Sequence, residues 1–327
     1  MDSTTDQRQH LLHAWLSDYY NMNGVNLVPV SGDASFRRYF RFNYPSSHHS
    51  GPLTLIAVDA PPELENSEPF VNVSELLYTH QCAVPRIYLS SLENGFFVIE
   101  DFGDNLLLNC LNDQSADELY NEAMQSIINM QAIDASSLPD YDSKLLKREM
   151  QLFTDWYLIK HKNMQLDDAS NNLLLNTYQA LETSALEQPR VFVHRDYHSR
   201  NLMVRDNKPL GIIDFQDAVN GPVTYDLVSL LRDCYIDWPQ NKIDHWCNQF
   251  YEMIPEKNYS YETFIRWFDL MGIQRHLKAT GIFCRLNYRD HKPAYLNDIP
   301  RTLNYISDVS AKYPELKSFN ALIGGLL

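Results

Sequence analysis

Four polar residues in one stretch of the chain could carry out chemistry together. They lie in VHRDYHSRN (Val193 to Asn201) and IIDFQD (Ile212 to Asp217), and are His194, Asp196, Asn201 and Asp214. Asn201 follows Asp196 by five residues, and Asp214 follows it by eighteen, at the end of an apolar run. A carboxylate and an amide on one loop, with a second carboxylate returning to the same edge, suit phosphoryl transfer. That reaction needs a carboxylate to accept the attacking hydroxyl's proton and oxygen ligands to hold Mg²⁺ against nucleotide phosphates. Asp196 is therefore the candidate base, and Asn201 and Asp214 are the candidate metal ligands. His194 reads as a brace for the loop. His198, four residues on, mimics a zinc pair, but the intervening residues read as loop rather than helix. Ser199 lacks the Gly-x-Ser-x-Gly frame of a hydrolase nucleophile.

The elements around these residues change period along the chain. Leu12, Trp15, Leu16 and Tyr19 recur at helical steps, so the first twenty residues read as an amphipathic helix. Short strands are expected at Leu27–Val30, Phe36–Phe42, Leu53–Val58, Arg86–Leu89 and Phe96–Glu100, rich in β-branched and aromatic residues. One helix starting at Ser67-Glu68-Pro69 interrupts them. Beyond Asp104 the pattern is helical, except for a strand at Val191–Val193 and a hairpin pairing Leu202–Val204 with Leu210–Ile213 across Asp206-Asn207. Asp226, in YDLVSLLRD, begins a helix and is placed to anchor the loop by hydrogen bonds. The expected architecture is α+β and bilobal, with a small β-rich lobe (1–104), a larger helical lobe (105–327) and a ligand cleft between them.

This arrangement resembles the protein-kinase-like fold and, within it, the small-molecule kinases of the aminoglycoside phosphotransferase type. SGDASFRRYFRF, VDAPPE, GPVTYDLVSLLRDCY and QRHLKATGIFCRL look like the bacterial anomeric N-acetylmuramate/N-acetylglucosamine kinases of cell-wall recycling. The resemblance implies ATP and Mg²⁺ as cofactors, Asp196 as base, and Asn201 and Asp214 as magnesium ligands. It also implies a phosphate-covering loop formed by Ser31, Gly32, Asp33, Ala34, Ser35 and Phe36, and a hinge, Glu100 to Phe102, whose backbone meets adenine. Asp101-Phe102-Gly103 spells a kinase metal motif but precedes the catalytic loop, so the metal role falls to Asp214.

The chain departs from the kinase pattern at one point. Protein kinases carry a phosphate-gripping lysine on the third strand. Here Asp59 stands near that place, and no lysine occurs before Lys144. An arginine must serve instead. Arg37, Arg38 and Arg41 are available, and Arg38 shares a strand face with Phe36, Phe40 and Phe42, with Glu75 as its expected partner.

Charge narrows the acceptor. The chain of 327 residues carries 27 Lys and Arg against 42 Asp and Glu, a net −15, which disfavours nucleic acid and anionic membranes as partners. Residues 266–301 run the other way, with seven basic residues against three Asp. That local excess suits a neutral or anionic small-molecule sugar rather than a polycation. Arg275 and Lys278, with Asp217, Arg232 and Asp233, are the candidate substrate contacts. The five cysteines are scattered without a C-x-x-C pair and the first ten residues are polar, so a reducing cytoplasm is the expected compartment. No obligate protein partner is evident.

Overall fold

The computed structural model describes residues 3–22, 24–30, 36–44 and 53–327. The chain divides into two compact units: residues 1–105 with 203–217, and residues 106–202 with 218–327.

The first unit is built on a five-stranded antiparallel sheet. After helix α1 (Ser3–Tyr20) come β1 (Val28–Pro29), β2 (Arg38–Tyr44) and β3 (Leu53–Asp59). Helix α2 (Glu68–Thr79) then precedes β4 (Ile87–Ser91) and β5 (Phe96–Glu100), and the spatial order is β1-β2-β3-β5-β4. Side chains alternate between faces along each strand. Phe40, Phe42, Leu55, Ala57, Phe96 and Val98 point one way and bury Leu12 and Leu16 of α1. Ile56, Val58, Phe97 and Ile99 point the other way and cover Phe70 and Val71 of α2. All five strands and α1 lie within two residues of the sequence reading at each end, and α2 begins where Ser67-Glu68-Pro69 placed it.

The hairpin expected in the helical lobe at Leu202–Val204 and Leu210–Ile213 is found at Leu202–Arg205 and Lys208–Ile212, and nearly all of it packs with the first unit. The amide of Val204 donates to the Asn105 carbonyl and that of Ile212 to the Ala83 carbonyl, both at 2.8 Å. Phe215 stacks on Phe70, with ring centroids 5.3 Å apart. The Phe102 ring lies under the Arg205 guanidinium and against Gly211, where a Cβ would come within 2.4 Å of the ring.

The second unit is mostly helical. Helices α3 (Leu107–Cys110), α4 (Ala116–Gln131) and α5 (Ser143–Leu152) run into a π-helical stretch, Phe153–His161. Then come α6 (Asp168–Leu186), α7 (Tyr225–Leu231), α8 (Gln240–Met253), the thirty-residue α9 (Tyr261–Asp290), α10 (Ile299–Ser310) and α11 (Lys317–Gly324). Its one strand pair joins Arg190–Val193 to Val219–Pro222. Eighteen residues of α9 are buried, which makes it the axis on which the other helices pack. Gly281 lets α5 approach closely: a Cβ there would sit 2.4 Å from the Leu152 carbonyl carbon and 2.5 Å from its oxygen. Backbone cannot swing aside as a side-chain tip can. Gly281→Ala is therefore expected to lower stability by about 1–3 kcal/mol, the usual cost of overpacking, read as a drop in Tm. An unchanged melt would mean the two helices can part freely.

Candidate active site

The loop from His194 to Asn201 is fixed from behind by two buried carboxylates. Asp226, at the start of α7, accepts from the His194 amide at 2.7 Å and the Arg195 amide at 3.0 Å. Asp233 accepts from the Ser199 amide at 2.9 Å, the Ser199 hydroxyl at 2.5 Å and the Tyr235 amide at 3.0 Å. Burial pushes the Asp226 carboxyl up to about 7 despite its backbone donors. Inside the loop, the His194 ring accepts the Asp196 amide at 3.3 Å, and the Asn201 side-chain nitrogen donates to the Asp196 carbonyl at 3.0 Å. Arg195 takes a left-handed backbone conformation, φ 75°, so the chain bends sharply just before Asp196.

These restraints act on backbone and leave the Asp196 carboxylate without a hydrogen-bonding side chain among the described residues. It lines a cavity of about 90 Å³ with His198, Tyr225, Cys234, Tyr235, Arg275, Lys278, Ala279, Ile282 and Phe283. A wider groove of about 1140 Å³, lined by residues such as Pro189, Tyr259 and Trp267, contains none of the predicted site residues.

Positive charge surrounds this cavity and is itself organised. Glu149, buried on α5, takes Arg195 at 2.5 Å and Lys278 at 3.3 Å on one oxygen, and the Tyr141 hydroxyl on the other. Lys278 also donates to the Tyr225 hydroxyl at 3.1 Å. Burial works against a charged Glu149, yet Lys278 and Arg195 hold its carboxyl below the usual range. Burial likewise opposes the charge on Asp196, but Lys278, His198, Arg195 and Arg275 outweigh it and bring the carboxyl down to about 2. His198 makes no zinc pair with His194: its ring meets Tyr235 edge-on, 5.2 Å between centroids. His194 is wholly buried as a brace. Among the described residues no group of three or more His, Cys, Asp or Glu forms a metal cluster.

Other predicted residues are placed differently. Arg232 and Asp233 are closed to an acceptor, each at most 1% exposed. Arg232 is paired with Asp269 at 2.5 Å, and Asp233 is spent on the loop. Both are corrected from substrate contacts to internal supports. Arg275 and Lys278 do line the cavity with Asp196. Asp214 (φ 65°) belongs to the first unit, where Gln216 donates to it at 2.6 Å, and Asp217 is exposed there.

In the first unit, Arg38 points to the face expected of it, but its carboxylate is Asp59 rather than the exposed Glu75. Asp59 is fully buried and is shared with Arg8 of α1, which reaches it at 2.6 Å. Arg37 pairs with Glu65 at 3.5 Å. Arg41 binds Asp101 at 2.6 Å, which accounts for the misleading Asp-Phe-Gly. Phe36 is exposed, with its amide on Glu65 at 3.1 Å, while residues 31–35 of the expected phosphate loop lie outside the described residues. At the hinge, the Glu100 amide donates to the Arg86 carbonyl, whereas the Phe102 amide has no partner among the described residues.

Glu149, Arg195, Tyr225 and Tyr235 are site residues that sequence reasoning missed. Glu149 left a trace: it occupies a position in the apolar stripe Leu146, Met150, Phe153, where a charge implies a buried partner.

A loop carboxylate in a cation-lined cavity, on a unit of this topology, defines a kinase-like phosphotransferase. The profile of the phosphotransferase enzyme family (APH) matches residues 26–254, and the chain belongs to that family as an ATP-dependent kinase. The chain is 44% identical to the N-acetylmuramate/N-acetylglucosamine kinase of Pseudomonas aeruginosa, covering 92% of this chain and 89% of the relative. Among solved structures it is similar to a Plasmodium vivax ethanolamine kinase at 13% identity, covering 95% of this chain and 89% of that one, with a TM-score of 0.67. ADP-bound aminoglycoside phosphotransferase APH(2'')-Ib matches at 14% identity, 91% and 98% coverage, and a TM-score of 0.62.

A carboxylate depressed to about 2 contributes stability above its unfolded value of 3.8, and that contribution is lost as pH falls toward 2. Asp196 is thus ionised at every working pH. The profile of kcat/KM should show no acid limb from this group above about pH 4. A limb near pH 6 that vanishes in Asp196→Asn would contradict the assignment.

Proposed function

We propose that this enzyme transfers the γ-phosphoryl group of ATP to the anomeric hydroxyl of N-acetylmuramate or N-acetylglucosamine, in the cytoplasm. The observation that carries this reading is the Asp196 carboxylate facing a cavity it shares with Arg275 and Lys278. Such a cavity suits a neutral or acidic sugar and disfavours a polycationic aminoglycoside, and the 44% identical relative is named for both sugars. In a loose phosphoryl-transfer transition state the acceptor's proton leaves late, so a weakly basic carboxylate suffices to orient the hydroxyl and then take the proton. The anomeric hydroxyl, more acidic than the others of the ring, fits such a base.

Asn201 and Asp214 would hold Mg²⁺. The Asn201 side-chain nitrogen is engaged by the Asp196 carbonyl, which makes its oxygen the ligating atom. With the Asp214 carboxylate this gives the hard oxygen donors that magnesium prefers. When bound, the ion offsets charge on the phosphates during transfer. The segment 31–36, the hinge at Glu100 and Phe102, and Arg38 beside Arg8 would take the nucleotide.

Phosphorus NMR of the product, after incubation with ATP and each sugar, should reveal a 1-phosphate. A signal on another hydroxyl, or on choline or an aminoglycoside instead, rejects the acceptor. Asp196→Asn should fold, still bind nucleotide and lose roughly 10²–10⁴-fold in kcat. Near-normal turnover in that variant removes Asp196 from the reaction. Asp214→Ala should abolish the magnesium-dependent part of ATP binding in titration calorimetry, and unaltered isotherms would contradict its role.

A further inference from the structure

The basic side chains around the cavity are not equivalent. Arg232, Arg275 and Lys278 are the buried lysine and arginine residues described in the second unit. Arg232 is paired with Asp269, and Lys278 with Glu149. Arg195, half-buried beside Asp196, also pairs with Glu149. Arg275 is 5% exposed and stands in no ion pair with the described residues; one nitrogen donates to the Cys234 sulfur at 3.6 Å. A guanidinium carries five donors in a fixed fork, and a thiol is a weak acceptor. With no carboxylate hydrogen-bonded to it among the described residues, most of the Arg275 fork remains open to an anion in the cavity.

Hydrogen bonding around the cavity points the same way. Arg195 and Lys278 share Glu149, whereas Arg275 and Asp196 line the cavity with no ion pair between them. Asp226 and Asp233 spend their oxygens on the loop backbone. Every residue lining the cavity belongs to the second unit, whereas the expected nucleotide contacts (31–36, 38, 100 and 102) belong to the first. An acceptor seated against Asp196 in this cavity presents its substituents to Arg275. Of the two sugars, only N-acetylmuramate carries a carboxylate, on its lactyl ether.

We propose that Arg275 receives the acceptor's carboxylate and so sets the preference for the acidic over the neutral amino sugar, with Lys278 a positioning residue locked by Glu149. This rests on the phosphotransfer reading above.

The test compares wild-type enzyme with Arg275→Met, which keeps the bulk, and Arg275→Gln, which keeps donors without charge. The ratio of kcat/KM for N-acetylmuramate to that for N-acetylglucosamine should fall about 10- to 100-fold in either variant, the usual weight of a hydrogen bond to a charged group. An unchanged ratio, with both sugars losing kcat alike, overturns the proposal and assigns Arg275 to the transferred phosphoryl group or to the fold. Calorimetry without nucleotide decides independently of turnover. Wild type should bind N-acetylmuramate more tightly than N-acetylglucosamine, and the variants should lose that advantage. Equal binding by wild type, or an advantage that survives substitution, refutes the role of Arg275. Failure of the wild type to phosphorylate either sugar defeats the function proposed above, while the binding comparison still judges this inference.

Discussion

Two buried carboxylates grip the loop that carries Asp196, and the Asp196 carboxylate faces a cavity. Asp226 holds the loop before Asp196 and Asp233 holds it after, and together they accept five donors. The division of labour is enforced by solvation. A carboxylate that satisfies the loop amides must be sealed from water to make those bonds strong, whereas one that meets a hydroxyl must remain open. The positive groups behind Asp196 follow from the same constraint. Without Arg195, Lys278 and Arg275, burial would favour the protonated form of Asp196.

Glu149 extends that logic one layer outward. It pairs with both Arg195 and Lys278 and fixes them where their field reaches the Asp196 carboxylate. The α5–α9 packing places it there, and the close approach at Gly281 is part of what keeps those two helices in register. Chemistry at the loop thus depends on contacts far from it in the chain.

Local patterns in the sequence carried the sheet and the loop. Alternation such as Phe40, Phe42 against Tyr39, Arg41 shows in single segments, and the Asp196–Asn201 spacing fits one loop. What sequence did not show was set by pairing between distant segments. The strand Val219–Pro222 contains Gly221 and Pro222, which read locally as a turn, and exists because Arg190–Val193 lies beside it. Arg232 and Asp233 looked available because polarity is visible and burial is not; their partners stand 37 and 34 residues away. Arg38 was matched to Glu75 on the following helix, whereas strand register puts it opposite Asp59.

Asp59 has a consequence for what this part of the sheet tolerates. Near the place where a kinase lysine is expected stands an anion carrying one guanidinium from the neighbouring strand and another from the N-terminal helix. Restoring a lysine at that position alone would crowd three cations together in a buried place, and removing either arginine alone would weaken the compensation of a buried charge. Helix α1 is thereby tied to the middle strand of the sheet by charge as well as by its apolar face.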